Sequence, residues 1–202
     1  MCSLKRVLYG TGNRAKLQAM RTRLADLKLE ILGLQDMEGT PPEVPEEGNT
    51  PLENARQKAF AYYKRYGIPV FSCDSGLYLE GVPEELQPGV HVRTVGGKYL
   101  SDEEMQKYYG GLAEKYGDIR AHYENGVCLV LDEEHIYQTL DRGSAFLITA
   151  VPCGEILRKG FPLDSLSRDI ATGKYFYELT EEDRNRIAVG DYIYEFMKEI
   201  LG

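Results

Sequence analysis

The chain has no apolar run near the ~20 residues a membrane-spanning helix needs, and it has no internal repeat, low-complexity tract or Ser/Gly-rich linker. Positive charge is in short supply. Lys and Arg number 24 against 32 Asp and Glu, a formal net charge of −8. The mean field therefore repels polyanions and argues against a nucleic-acid polymer or an anionic membrane as partner. A small phosphorylated ligand remains compatible, because a metal ion and a few local lysines outweigh that mean field. Cysteine is scarce as well. Cys2, Cys73, Cys128 and Cys153 show no C-x-x-C spacing, which argues against a zinc site or disulfide framework and for reduced thiols. Met1 to Lys5 lead into a short strand-like run and not into a signal-peptide core, so the expectation is a soluble, cytoplasmic protein.

Hydrophobic residues make up 43% of the 202-residue chain, enough for a core that buries roughly 70% of the unfolded surface. The expectation is one domain over residues 1–202. Glycine, 21 residues, exceeds the usual share of about 7%, so some glycines should mark functional turns.

Arg6 to Tyr9 reads as a strand. Leu17, Met20, Leu24 and Leu27 recur at helical spacing from Arg14, and Leu29 to Leu32 alternates like a second strand. This strand–turn–helix–strand unit is the pattern of α/β architecture. Gly39 to Gly48, with its prolines and glutamates, reads as a loop. It ends at Thr50-Pro51-Leu52-Glu53, a capping box with proline at the first helical position, opening a helix to about Tyr66 that Gly67 stops. Ile68 to Cys73 reads as a buried strand. Ser101 to Glu104 is a second capping box, for a helix to about Gly110 that resumes toward Tyr116. Ile119 to Leu131 and His135 to Ile148 read as β strands of an antiparallel hairpin, and Thr180 to Ile200 as a closing helix with Gly190 its weak point. The sheet is thus expected to be mixed, parallel early and antiparallel later.

Three places stand out chemically. Thr11-Gly12-Asn13-Arg14-Ala15-Lys16 lies where a strand becomes a helix, and outward N–H groups at a helix start favour an anion. Lys16 is electrostatically misplaced there unless an anion binds; the plainer alternative is a turn with Asn13 as N-cap and a solvated lysine. The acidic loop Glu46-Glu47-Gly48 offers the carboxylate a Mg²⁺ ion wants beside substrate phosphates, or is simply solvated. Asn54 and Lys58 share one side of the following helix. At Cys73-Asp74-Ser75-Gly76-Leu77, Asp74 ends an apolar strand, where ligands of open α/β sheets bind; alternatively it starts a turn with Gly76.

Taken together, the motifs TGNRAK (Thr11 to Lys16), EEGNTPLENARQKA (Glu46 to Ala59), CDSGL (Cys73 to Leu77) and PGV (Pro88 to Val90) resemble those of the inosine triphosphate pyrophosphatase family. That resemblance implies an elongated mixed central sheet flanked by helices, two lobes with a central cleft, and a homodimer. It also implies Mg²⁺-dependent cleavage of a nucleoside triphosphate to monophosphate and pyrophosphate, a house-cleaning of the nucleotide pool. On it, Thr11, Gly12, Asn13, Lys16, Lys58 and Ser75 hold the triphosphate, Glu46 and Asp74 hold the metal, and Asp74 activates the attacking water. Phe161 and Asp164 contact the base.

The departures bear on substrate. Cys73 stands where the family has a first aspartate. His91-Val92-Arg93 follows Pro88-Gly89-Val90, with the arginine one place early, and Lys159 to Ser165 keeps only Phe161 and Asp164 of a glycine-rich base-reading motif. Ala188-Val189-Gly190 replaces a Ser-His-Arg motif that would recognise inosine or xanthine, so a change in which nucleotide is accepted, non-canonical and modified ones included, is expected. Two other readings are a nucleotide-binding protein without turnover and a hydrolase of a different nucleotide phosphoanhydride.

Overall fold

The computed structural model describes residues 5–45, 47–187 and 192–202. Strand β1 (Lys5–Tyr9) leads into helix α1 (Arg14–Arg23) and strand β2 (Leu29–Gly33). Helix α2 (Pro51–Tyr66) starts at the Thr50 capping box and stops at Gly67, whose φ of 65° is left-handed. Strand β3 (Val70–Leu79) precedes a small hairpin of β4 (Thr94–Val95) and β5 (Lys98–Tyr99), then helix α3 (Asp102–Tyr116) with its Ser101 capping box. Strands β6 (Ile119–Val130), β7 (Ile136–Arg142), β8 (Phe146–Ile148) and β9 (Ser167–Asp169) follow, and helices α4 (Glu181–Ile187) and α5 (Tyr192–Leu201) close the chain.

The larger sheet orders its strands β2-β1-β3-β6-β8-β9, with β7 on β6. β1 pairs parallel with β2 and β3, while β8 pairs antiparallel with β6 and β9. The sheet is mixed, as the sequence implied, with parallel neighbours early, where helices supply the crossovers a parallel pair needs, and antiparallel ones later.

The chain forms two compact units. The first holds the described residues of Met1–Ser75, Asn125–Asp141 and Gly190–Gly202. Its strands are apolar on both faces: Val7, Tyr9, Phe71, Val127 and Leu129 face a core built with Leu17 and Met20 of α1 and Ile193 and Met197 of α5. The alternate residues Leu8, Val70, Cys128 and Val130 face Ala55, Ala59 and Tyr62 of α2. The period of two along each strand thus serves two helical layers. The second unit, Gly76–Glu124 and Arg142–Val189, has its own core of Leu77, Leu79, Met105, Tyr109, Ile119, Ala121, Phe146, Ile148 and Leu166.

Several boundaries differ from expectation. β3 does not end at Cys73 but runs on to Leu79, because Leu77 and Leu79 are buried in the second core and Leu77 N–H donates to Gly89 O at 2.8 Å. α1 ends at Arg23, and Leu24 and Leu27 close it with a turn, Leu27 N–H donating to Leu24 O at 3.0 Å. α3 is continuous through Gly110 and Gly111. The run from His135 splits into β7 and β8 at Gly143, whose N–H turns to Tyr123 O at 2.8 Å. Within the expected closing helix, the described residues form α4 and α5. Gly190, the expected weak point, lies outside the described residues.

Candidate functional site

β1 ends at Tyr9, opposite Phe71 of the parallel strand β3, which runs on past that point. The turn Thr11 to Asn13 leaves β1 there, and Cys73 to Ser75 continue β3 past its last residue paired with β1. The carboxyl end of a parallel strand such as β1 is where open α/β sheets place ligands.

At the turn, Asn13 is the N-cap of α1. Its Oδ1 accepts from Ala15 N–H at 2.9 Å and Lys16 N–H at 3.2 Å, and Asn13 N–H donates to Thr11 Oγ1 at 3.2 Å. These helix-start donors were expected to point outward unsatisfied; the chain satisfies them itself. What the turn offers a ligand is charge. α1 has no acidic residue in its first turn, and Arg14 and Lys16 are exposed there, at the positive end of the helix dipole. An anion at that end relieves a repulsion worth roughly 0.3–1 kcal/mol per cation.

Asp74 is the best-held acid here. Its Oδ1 accepts from Lys58 Nζ at 3.0 Å and its Oδ2 from Asn54 Nδ2 at 3.0 Å. The Lys58 and Asp74 side chains are only 12% and 13% exposed. Lys58 and Asn54 project from the same side of α2 one turn apart, as their spacing implied. Ser75 Oγ donates to Asn125 Oδ1 at 2.8 Å. Lys16 and Lys58 both act on the Cys73 thiol, which puts Lys16, Lys58, Cys73 and Asp74 in one electrostatic neighbourhood. Glu46 lies outside the described residues, as do Ala188 to Gly190.

Cys73, the residue in place of an acid, behaves as a neutral group. Burial pushes its thiol up to about 11, against the opposing pull of the Tyr9 hydroxyl bonded to it and of Lys58, Lys16 and Arg23. Because a raised thiol pKa favours the protonated form, alkylation of native Cys73 by iodoacetamide at pH 8 is expected roughly two orders of magnitude slower than for a free cysteine of pKa ~8.5. Peptide mapping of native and urea-unfolded samples measures this. Equal rates in the two would contradict it.

Phe161 and Asp164 belong to the second unit. The Arg158 guanidinium sits 4.5 Å over the Phe161 ring and donates to Asp164 Oδ2 at 3.0 Å. Burial holds the Asp164 carboxyl above the usual range, with Arg158 opposing. His91 is exposed. Arg93 is structural: it donates to Asp102 Oδ1 at 2.7 Å, to Leu100 O at 3.2 Å and to Gly160 O at 3.3 Å.

Two contributors escaped sequence reasoning, Asn125 and Gly126. Their signal was an Asn-Gly pair inside a β-prone run, which marks a close approach of another backbone. A Cβ at Gly126 would lie 2.5 Å from Leu52 N and 2.7 Å from Pro51 C, so β6 touches the main chain of α2's first turn.

Among the described residues, no group of three or more His, Cys, Asp or Glu side chains is placed to hold a metal. Asp74 supplies one carboxylate. That fits Mg²⁺, which takes one or two protein carboxylates when substrate phosphates and water complete its octahedron.

A model of the Ham1 family matches residues 7–189. The chain is 32% identical over 191 residues to the dITP/XTP pyrophosphatase of Symbiobacterium thermophilum, covering 92% of this chain and 89% of that one. It is 32% identical over 185 residues to the dITP/XTP pyrophosphatase of Thermus thermophilus, covering 90% and 84%. Its fold is similar to that of the Ham1 protein of Staphylococcus aureus, with a TM-score of 0.77, 21% identity and coverage of 97% and 100%. The HAM1 protein of Coxiella burnetii gives 0.78, 24% identity and 98% of each chain.

Proposed function

Because the chain belongs to the Ham1 family, we propose that it is a nucleoside triphosphate pyrophosphatase, a hydrolase that releases pyrophosphate and a nucleoside monophosphate from a modified or otherwise non-canonical nucleoside triphosphate. The observation that carries the reading is Asp74, gripped through both oxygens by Lys58 and Asn54 just beyond the stretch of β3 that pairs with β1.

In this reading Thr11, Gly12, Asn13, Lys16 and Ser75 hold the triphosphate, and Lys58 turns from Asp74 toward its phosphates as the substrate enters. Asp74 and Glu46 would hold a Mg²⁺ ion, which when bound would supply Lewis-acid polarisation. Asp74 takes the proton of the attacking water. The water oxygen bonds to the α-phosphorus, the bond to the α–β bridging oxygen breaks, and pyrophosphate leaves with that electron pair. The chain's main contribution is position and positive charge, as for phosphoryl transfer generally. Phe161 and Asp164 contact the base, and the absence of a His-Arg pair at Ala188 to Gly190 sets its identity apart from inosine and xanthine. The family resemblance further supports a cytoplasmic homodimer.

The test is a pyrophosphate-release screen over standard, deaminated and modified nucleotides with and without Mg²⁺. At least one is expected to be hydrolysed well above an Asp74→Asn control, and only with the metal. A second reading, nucleotide binding without turnover, is favoured by the neutral Cys73 beside Asp74; a thermal shift with nucleotide and no product would select it.

A further inference from the structure

Asn54 is 1% exposed and is the fourth residue of α2, a place where asparagine is a poor helix former. A buried amide must also find partners for its acceptor and its donors. Here Oδ1 accepts from Gly48 N–H at 2.8 Å and Nδ2 donates to Asp74 Oδ2 at 3.0 Å. These two contacts fix the amide's orientation, because a carboxylate only accepts and a backbone N–H only donates. The loop is seated closely on it: a Cβ at Gly48 would lie 2.6 Å from Asn54 Oδ1 and 3.0 Å from Asn54 N. A single side chain therefore ties the end of the acidic loop to the carboxylate of Asp74.

We propose that Asn54 is a positioning residue of the site. It sets the direction of the Asp74 carboxylate, leaving Oδ1 to Lys58, and it holds Gly48, at the end of the loop, in fixed register with Asp74. Groups that orient a ligating carboxylate typically contribute 10–100-fold to affinity or activity. The kinetic part of this proposal rests on the pyrophosphatase reading; the structural part does not.

Two variants separate the links. Asn54→Asp keeps an acceptor for Gly48 N–H, but as a carboxylate it has no donor for Asp74 and sets a like charge beside it. Asn54→Leu keeps most of the volume and removes both contacts. For Asn54→Asp, kcat is expected to fall about 10–100-fold with KM changed less than about threefold, and Gly48 N–H to stay protected from hydrogen exchange. For Asn54→Leu, Gly48 protection is expected to be lost, and calorimetric affinity for inorganic triphosphate with Mg²⁺ to weaken about 10–100-fold. Circular dichroism and Tm gate both variants for folding. A folded Asn54→Asp enzyme with wild-type kcat, or a folded Asn54→Leu protein that protects Gly48 and binds triphosphate like wild type, overturns the proposal. If the wild-type chain hydrolyses no nucleotide, the pyrophosphatase reading falls, and the exchange and triphosphate measurements alone decide the role of Asn54.

Discussion

Asp74→Asn is expected to lower pyrophosphate release by about 10²–10⁴-fold, the range that a positioned general base contributes. The amide matches the carboxylate in size but cannot take a proton from water. It also meets the wrong partners. Both Asp74 oxygens accept, from Lys58 and from Asn54, so an NH₂ group in either place faces another donor. With both ion-pair side chains largely buried, the lost charged hydrogen bond should lower stability by about 1.5–3 kcal/mol. Activity and stability therefore fall together, and the measurement has to separate them. Initial rates are taken well below the variant's Tm, with saturating Mg²⁺ and nucleotide. A folded Asp74→Asn protein within tenfold of the wild-type rate would remove Asp74 from the chemistry.

The largest effect on stability is expected at Gly126, which takes no part in the chemistry. Its missing side chain is occupied by main-chain atoms of Pro51 and Leu52, 2.5–2.7 Å from where a Cβ would stand. Main chain cannot rotate away as a side chain does. The first turn of α2 is moreover pinned, with Thr50 Oγ1 accepting from Glu53 N–H at 3.2 Å and Glu53 Oε2 accepting from Asn49 N–H at 2.8 Å. Gly126→Ala is expected to cost at least the upper end of the about 1–3 kcal/mol typical of overpacking. Because that turn begins the helix carrying Asn54 and Lys58, the folded fraction should also lose activity: a displacement near 1 Å costs roughly 10²-fold. Gly12→Ala is the control. A Cβ at Gly12 meets nothing within 4 Å, and its effect on stability should stay within about 0.5 kcal/mol. Denaturant titration of both variants measures this. Equal stabilities would show that α2 and β6 yield without cost.

What could be read in the chain beforehand depended on distance along it. Asn13 as N-cap, the Thr50 and Ser101 capping boxes and the Gly67 stop each involve residues a few places apart, and all were legible. So was the side of α2 that Asn54 and Lys58 share. The course of β3 was not. Cys73-Asp74-Ser75-Gly76 interrupts its apolar alternation and reads as a strand end with a turn, yet the strand continues because Leu77 and Leu79 are drawn into another core. The long run from Ile119 concealed Asn125 and Gly126 for a similar reason: its β propensity says strand, and nothing local says which helix the strand will touch.

The sequence by itself determined the caps, the helical stripes, the order of parallel and antiparallel strands and the residue types of the candidate site, since these arise from neighbours within a turn or from a period of two or 3.6. Only the tertiary structure decided what Asp74 holds. Its partners are 16 and 20 residues away, and that of Ser75 is 50 away. Such pairs depend on which strand lies beside which and on how closely a helix can approach a strand without a side chain between them, quantities that no local pattern encodes.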